Sequence, residues 1–163
     1  LVTESDAIGS NDNDTTIPTS AAVKDYVDIT VSKYALYELY AATQYNSTTI
    51  IPVTETANPN NISTVSNGVI TLNAGTYSVI FTGQYAEDDN DPQDYFTVRY
   101  RVGNFNFAEK QINETGSSTD FIPFSSATVV HTDTTETVEI KVAETSATSM
   151  YSKYVKILIT KLA

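Results

Sequence analysis

From residue 69 onward, apolar and polar positions alternate in short runs broken by turn residues, which is the pattern of half-buried strands. Val69–Ile70–Thr71–Leu72 is one run, and it stops at Asn73–Ala74–Gly75. The next places Tyr77, Val79, Phe81 and Tyr85 on one face and Ser78, Thr82 and Gln84 on the other. Tyr95–Val102 sets Phe96, Val98 and Tyr100 against Thr97, Arg99 and Arg101, and Gly103–Asn104 makes a turn before the run Phe105–Ile112. Phe121–Thr132 and Thr137–Val142 flank the polar turn Asp133–Glu136, and Ser152–Leu162 is the last strand. Upstream, Ala35–Thr43 reads as a first strand, Thr48–Ile51 is strand-like, and Thr56–Asn61 is a turn cluster. The pattern predicts eight to ten strands at the spacing of a β-sandwich, with no repeat period.

Residues 1–19 are polar and poor in strand formers. Pro18, a cap at Thr19 or Ser20, and Ala21–Ala22 then predict a short helix. Ser20, Val23, Val27, Thr30, Tyr34 and Tyr37 fall on an alternating three-four spacing. A helix this short is marginal by itself in water. Three copies around an axis would support one another, and packing on its own head domain fits the same spacing. The division expected is a connector with a short stalk helix over 1–35 and a β head over 36–163. Val23, Val27, Thr30 and Tyr34 form the stalk seam, and Tyr34, Tyr37 and Tyr40 fall at the junction of stalk and head, near the axis.

Composition narrows the function. The chain has 163 residues with abundant Thr, Ser and Tyr, six glycines and five prolines, which suits an all-β domain. It has no cysteine, so disulfides, zinc-thiolate sites and catalytic thiols are excluded. Twenty acidic against nine basic residues give a net charge of −11. A chain so acidic is a poor partner for phosphate backbones, so no nucleic acid is expected. No window of 18 apolar residues occurs, and no membrane insertion is expected.

Candidate chemistry is sparse. His131 is the sole histidine, and no nucleophile elbow accompanies it, so no catalysis is expected. Asp88, Asp89, Asp91 and Asp94 crowd one acidic loop. Clustered carboxylates can hold calcium, although the glycine and distal glutamate of an EF-hand are missing. A solvated loop is the alternative. The sequons at Asn46, Asn61 and Asn113 arise easily in a chain this rich in Ser and Thr.

Gly75-x-Tyr77-x-Val79-x-Phe81 resembles the Gly-x-Tyr-x-Phe-x-Phe signature of the C1q and tumour-necrosis-factor family. The resemblance covers about residues 36–163 and implies a trimeric jelly-roll head that binds rather than transforms its ligand. Val79 replaces an aromatic of the signature, and Val69 stands where the family has another. Both are expected at inward positions. Residues 11–28, with IPTSAAVKDYVD over 17–28, resemble the connector that precedes or links modules in bacteriophage fibre proteins. Together the two resemblances imply a homotrimeric virion fibre in the capsid or tail. Its head would attach to a host cell-surface glycan or protein, and its N-terminus to other virion proteins. A structural capsid-decorating or trimerising head, without receptor binding, is the second reading.

Overall fold

The computed structural model describes residues 33–87, 94–113, 121–143, 145–147 and 150–162. The chain divides into Leu1–Ser32 and Lys33–Ala163, and every described residue belongs to the second unit. Connector residues 17–28 and the seam positions Val23, Val27 and Thr30 lie outside the described residues.

Twelve strands are described. In chain order they are β1 (Lys33–Leu39), β2 (Thr43–Tyr45), β3 (Thr49–Ile50), β4 (Thr54–Ala57), β5 (Ser63–Ser66) and β6 (Val69–Leu72), then β7 (Gly75–Glu87), β8 (Tyr95–Val102), β9 (Phe105–Asn113), β10 (Ile122–Thr132), β11 (Glu136–Ala143) and β12 (Met150–Lys161). All pairings are antiparallel. One sheet runs β10-β7-β12-β1-β4, with β2 also on β12; the other runs β5-β6-β11-β8-β9, with β3 also on β11. No helix occurs among the described residues. This is a two-sheet jelly-roll, and its core is built from the alternating faces that the sequence pattern marks.

Tyr77, Val79, Phe81 and Tyr85 of β7 are fully buried and face Phe96, Val98 and Tyr100 of β8 across the core. The Tyr100 ring stacks on Phe81 at 4.9 Å and on Phe124 at 4.4 Å. Its hydroxyl donates to the Phe124 carbonyl at 2.6 Å, and the Tyr85 hydroxyl lies 3.4 Å away. Gly75, the first signature residue, opens β7. Gly68 must be glycine: its φ is +79°, and a Cβ there would lie 2.3 Å from the Ile51 carbonyl oxygen.

Three expectations are corrected. Tyr34 lies not on a helical seam but in β1, opposite Thr160 of β12. Tyr37 is fully buried in the sandwich core, its hydroxyl 2.7 Å from Ser63 Oγ, and is not at a stalk junction. Both follow from one cause: β1 begins at Lys33, and a period of two overrides a three-four spacing once the segment pairs on both edges. Val69 is not inward. Ile70 and Leu72 are the buried members of β6, so Val69 shares the outer face with Thr71.

Two consequences are measurable. Truncating Phe81 removes a ring that Tyr100 and Phe107 both contact. Phe81→Ala should therefore lower unfolding free energy by about 3–5 kcal/mol in urea titrations, and an unchanged midpoint would refute its core role. Burial raises the Tyr85 and Tyr100 pKa values above their ordinary value. The folded state then holds these protons more tightly than the unfolded chain. Stability is complete below about pH 10 and falls as pH rises past it. Urea midpoints should be lower at about pH 11 than at about pH 9.

Candidate functional site

The strand register assembles the solvent face of the β10-β7-β12-β1 sheet row by row. Tyr34, Thr160, Ser78 and Val129 form one row; Leu36, Leu158, Ile80 and Ala127 form the next; Glu38, Lys156, Thr82 and Ser125 form a third. The middle row has no polar side chain across four strands. Ile80 is 41% exposed, Tyr34 40% and Val129 65%. The first two rows thus expose apolar side chains on neighbouring strands of one sheet. The third row is ionic: Lys156 Nζ lies 2.8 Å from Glu38 Oε1. Their hydrogen bond lowers the Glu38 pKa and raises that of Lys156. This pair is solvated, so it orders the surface more than it stabilises the fold.

The other sheet presents a different solvent face. Arg99 pairs with Glu109 at 3.1 Å, and Arg101 pairs with Glu139. Lys141 stands directly across from Arg99. That surface carries ion pairs across three strands, whereas the first sheet's sets one ion pair beside an apolar row.

β10 pairs only with β7 and β9 only with β8, so both sheets end in an edge strand on the same side. Between these edges lies a cleft of about 420 Å³, lined by Val102, Phe105, Phe107, Val129, His131 and Glu136 among others. Phe105 is 71% exposed at its lip. Lys110 Nζ donates to the Pro123 carbonyl at 3.2 Å and ties the two edges together farther along.

The sandwich has two distinct ends. Lys33 begins β1 opposite Lys161, and the turns at Asn73–Ala74, Gly103–Asn104 and Asp133–Thr135 share that end. At the opposite end β1, β7, β9 and β11 finish and β2, β8, β10 and β12 begin. In sequence, the acidic stretch falls between β7 and β8. Asp88, Asp89 and Asp91 lie outside the described residues, and Asp94 immediately precedes β8. Among the described residues no three His, Asp or Glu side chains come together as a metal site.

His131 sits at the near end, with Nδ1 3.0 Å from Thr76 Oγ1 and Nε2 3.3 Å from Asp133 Oδ1. The imidazole and the carboxylate are both well exposed. A hydroxyl, imidazole and carboxylate in bulk water lack the low dielectric and fixed donors that make such a trio catalytic. The arrangement ties the last residues of β10 to β7.

The sequence did not single out the Leu36–Leu158–Ile80–Ala127 row, because its members come from four distant strands. Nor did it single out Tyr154, which pairs edge-on with Tyr40 at 5.1 Å. The available signal was a phase change in β12, where Ser152 and Val155 are both buried although three residues apart.

No protein-family model and no curated protein sequence matches the chain. Solved structures do. Murine APRIL superposes with a TM-score of 0.58 at 11% identity, over 81% of this chain and all of that one. The globular domain of zebrafish complement 1qA gives 0.53 at 12%, over 81% and 97%. The PRD1 vertex protein P5 gives 0.51 at 14%, over 82% and 99%. At these identities the likeness shows the fold: a C1q/TNF-like jelly-roll.

Proposed function

We propose that the chain is the head of a homotrimeric bacteriophage virion fibre that attaches to a host cell-surface glycan or protein. The observation that carries this reading is the polarity of the sandwich. Lys33 begins β1 beside the last residues of β12, and β1, β7, β9 and β11 finish at the opposite end. A head held at one end presents the other. The connector resemblance at residues 17–28 supports a fibre joined to other virion proteins through its N-terminal part, and the likeness to a PRD1 vertex protein supports a place on a virion.

Self-association has its own support. The apolar row on the sheet face and Phe105 at the sheet edges are different surfaces of one chain. They cannot cover each other within a single molecule. Pairing the edge of one copy with the face of the next is a heterologous contact, and a threefold rotation closes such contacts into a ring. Three weak binding tips held together then act as one strong one.

Light scattering of the purified chain should give a mass about three times 17.8 kDa, and Ile80→Lys should reduce it to the monomer's. A wild-type monomer at micromolar concentration would overturn the trimer. Labelled trimer should bind intact host cells saturably and lose binding when the surface is stripped. Absence of binding, with particles still requiring the protein for assembly, would identify a structural capsid-decorating head instead.

A further inference from the structure

Beyond the ionic Glu38–Lys156 row, towards the far end, the sheet's solvent face changes character. In β12, Lys153 pairs with Gln84 and Lys156 with Thr82, so Tyr154 and Val155 together oppose the single Gly83. This is a bulge, and Tyr154 occupies it with φ +50°, a conformation that strands normally give to glycine. Bulges re-aim side chains, and a bulky residue held there is a strain that accumulates at functional surfaces. The Tyr154 amide donates to the Tyr40 carbonyl at 3.4 Å. The two rings meet edge to face, with Tyr40 69% and Tyr154 44% exposed.

Tyr154 walls a depression of about 200 Å³ whose other side chains include Thr82, Gln84, Pro123 and Ser125. The Lys153 ammonium lies beside it, 3.8 Å over the Phe121 ring. Rigid, amphipathic tyrosine thus stands next to two hydroxyls and an amide, each able to donate and to accept. A pyranose ring needs that combination: a flat apolar partner for its C–H face and two-way hydrogen-bonding groups for its hydroxyl rim. The volume is below the roughly 300–1,000 Å³ of sites for drug-sized molecules, which suits one sugar ring.

We propose that this depression is a saccharide subsite, with Tyr154 as the stacking platform, Tyr40 as its brace, and Thr82, Gln84 and Ser125 as the hydrogen-bonding rim. The proposal rests on the host-attachment reading and names its ligand class. Thr82 and Ser125 belong to the third row, next to the apolar one, so the subsite is tested at Tyr154, which lies beyond both rows.

The test uses the full 163-residue chain. Immobilised oligosaccharides ending in glucose, galactose, rhamnose or N-acetylglucosamine are the probes. Tyr154→Gly is the informative variant, because it deletes the ring while relaxing the positive φ. The wild type should bind at least one probe. Tyr154→Gly should weaken that binding about tenfold or more, Tyr154→Phe should largely retain it, and mass and melting temperature should not fall in either. Unchanged binding in Tyr154→Gly would overturn the subsite, and a drop in mass would make Tyr154 a subunit contact instead. Failure to bind any probe while host cells are still bound would overturn the subsite and leave attachment standing. Loss of both would remove the attachment reading as well.

Discussion

Buried tyrosine hydroxyls are the constraint on which this sandwich depends. With no tryptophan and no cysteine, much of the large core volume falls to Tyr37, Tyr77, Tyr85 and Tyr100, all fully buried. Each brings a polar group that costs free energy unless it is partnered. The partners are in specific places. Tyr37 of β1 reaches Ser63 of β5 in the opposite sheet, Tyr100 of β8 reaches the Phe124 carbonyl of β10, and Tyr77 donates to the Asn73 carbonyl at 3.0 Å. Two of these bonds cross between the sheets. Sliding one layer over the other would leave the hydroxyls unpaired, so a core that apolar packing alone could hold in several offsets is held in one.

The outside of the molecule follows from how the two sheets are finished. One ends in crossed ion pairs, Arg99 with Glu109 and Arg101 with Glu139, and gains nothing from a further layer. The other carries Leu36, Leu158, Ile80 and Ala127 in a line, then a charged row, then paired aromatics at the bulge. A single face thus offers an apolar belt near the point where the chain enters and an amphipathic patch near the far end. The third row adjoins both, with the Glu38–Lys156 pair on β1 and β12 and the hydroxyls of Thr82 and Ser125 on β7 and β10.

Much of this was legible in the chain. The period of two in β7 and β8 identified the inward residues, because long central strands with one buried face leave no other register. The reading weakened where alternation was ambiguous or absent. Val69 adjoins Ile70, and two neighbouring apolar residues do not say which one faces in. β4 and β5, rich in Thr and Ser, carry little apolar signal and are strands because β1 and β6 pair with them. Tyr34 and Tyr37 satisfied a helical spacing by coincidence. The surface row was invisible for a different reason: strand order, not sequence order, places its four residues side by side. The bulge at Tyr154 showed only as a broken rhythm in β12.

The placement of β1 has a mechanical consequence. It is flanked on both sides, by β12 over its whole length and by β4, and Lys33 is where the chain joins it. A pull applied to the chain at Lys33 and resisted at the far end of the sandwich runs along the strand axis. The ladder bonds to β12 and β4 are then loaded together, in shear, and cannot be peeled apart one after another. Rupture under such a load is set by the height of the unfolding barrier rather than by equilibrium stability. A fold of modest thermodynamic stability can in this way serve as a tether that outlasts sudden tension.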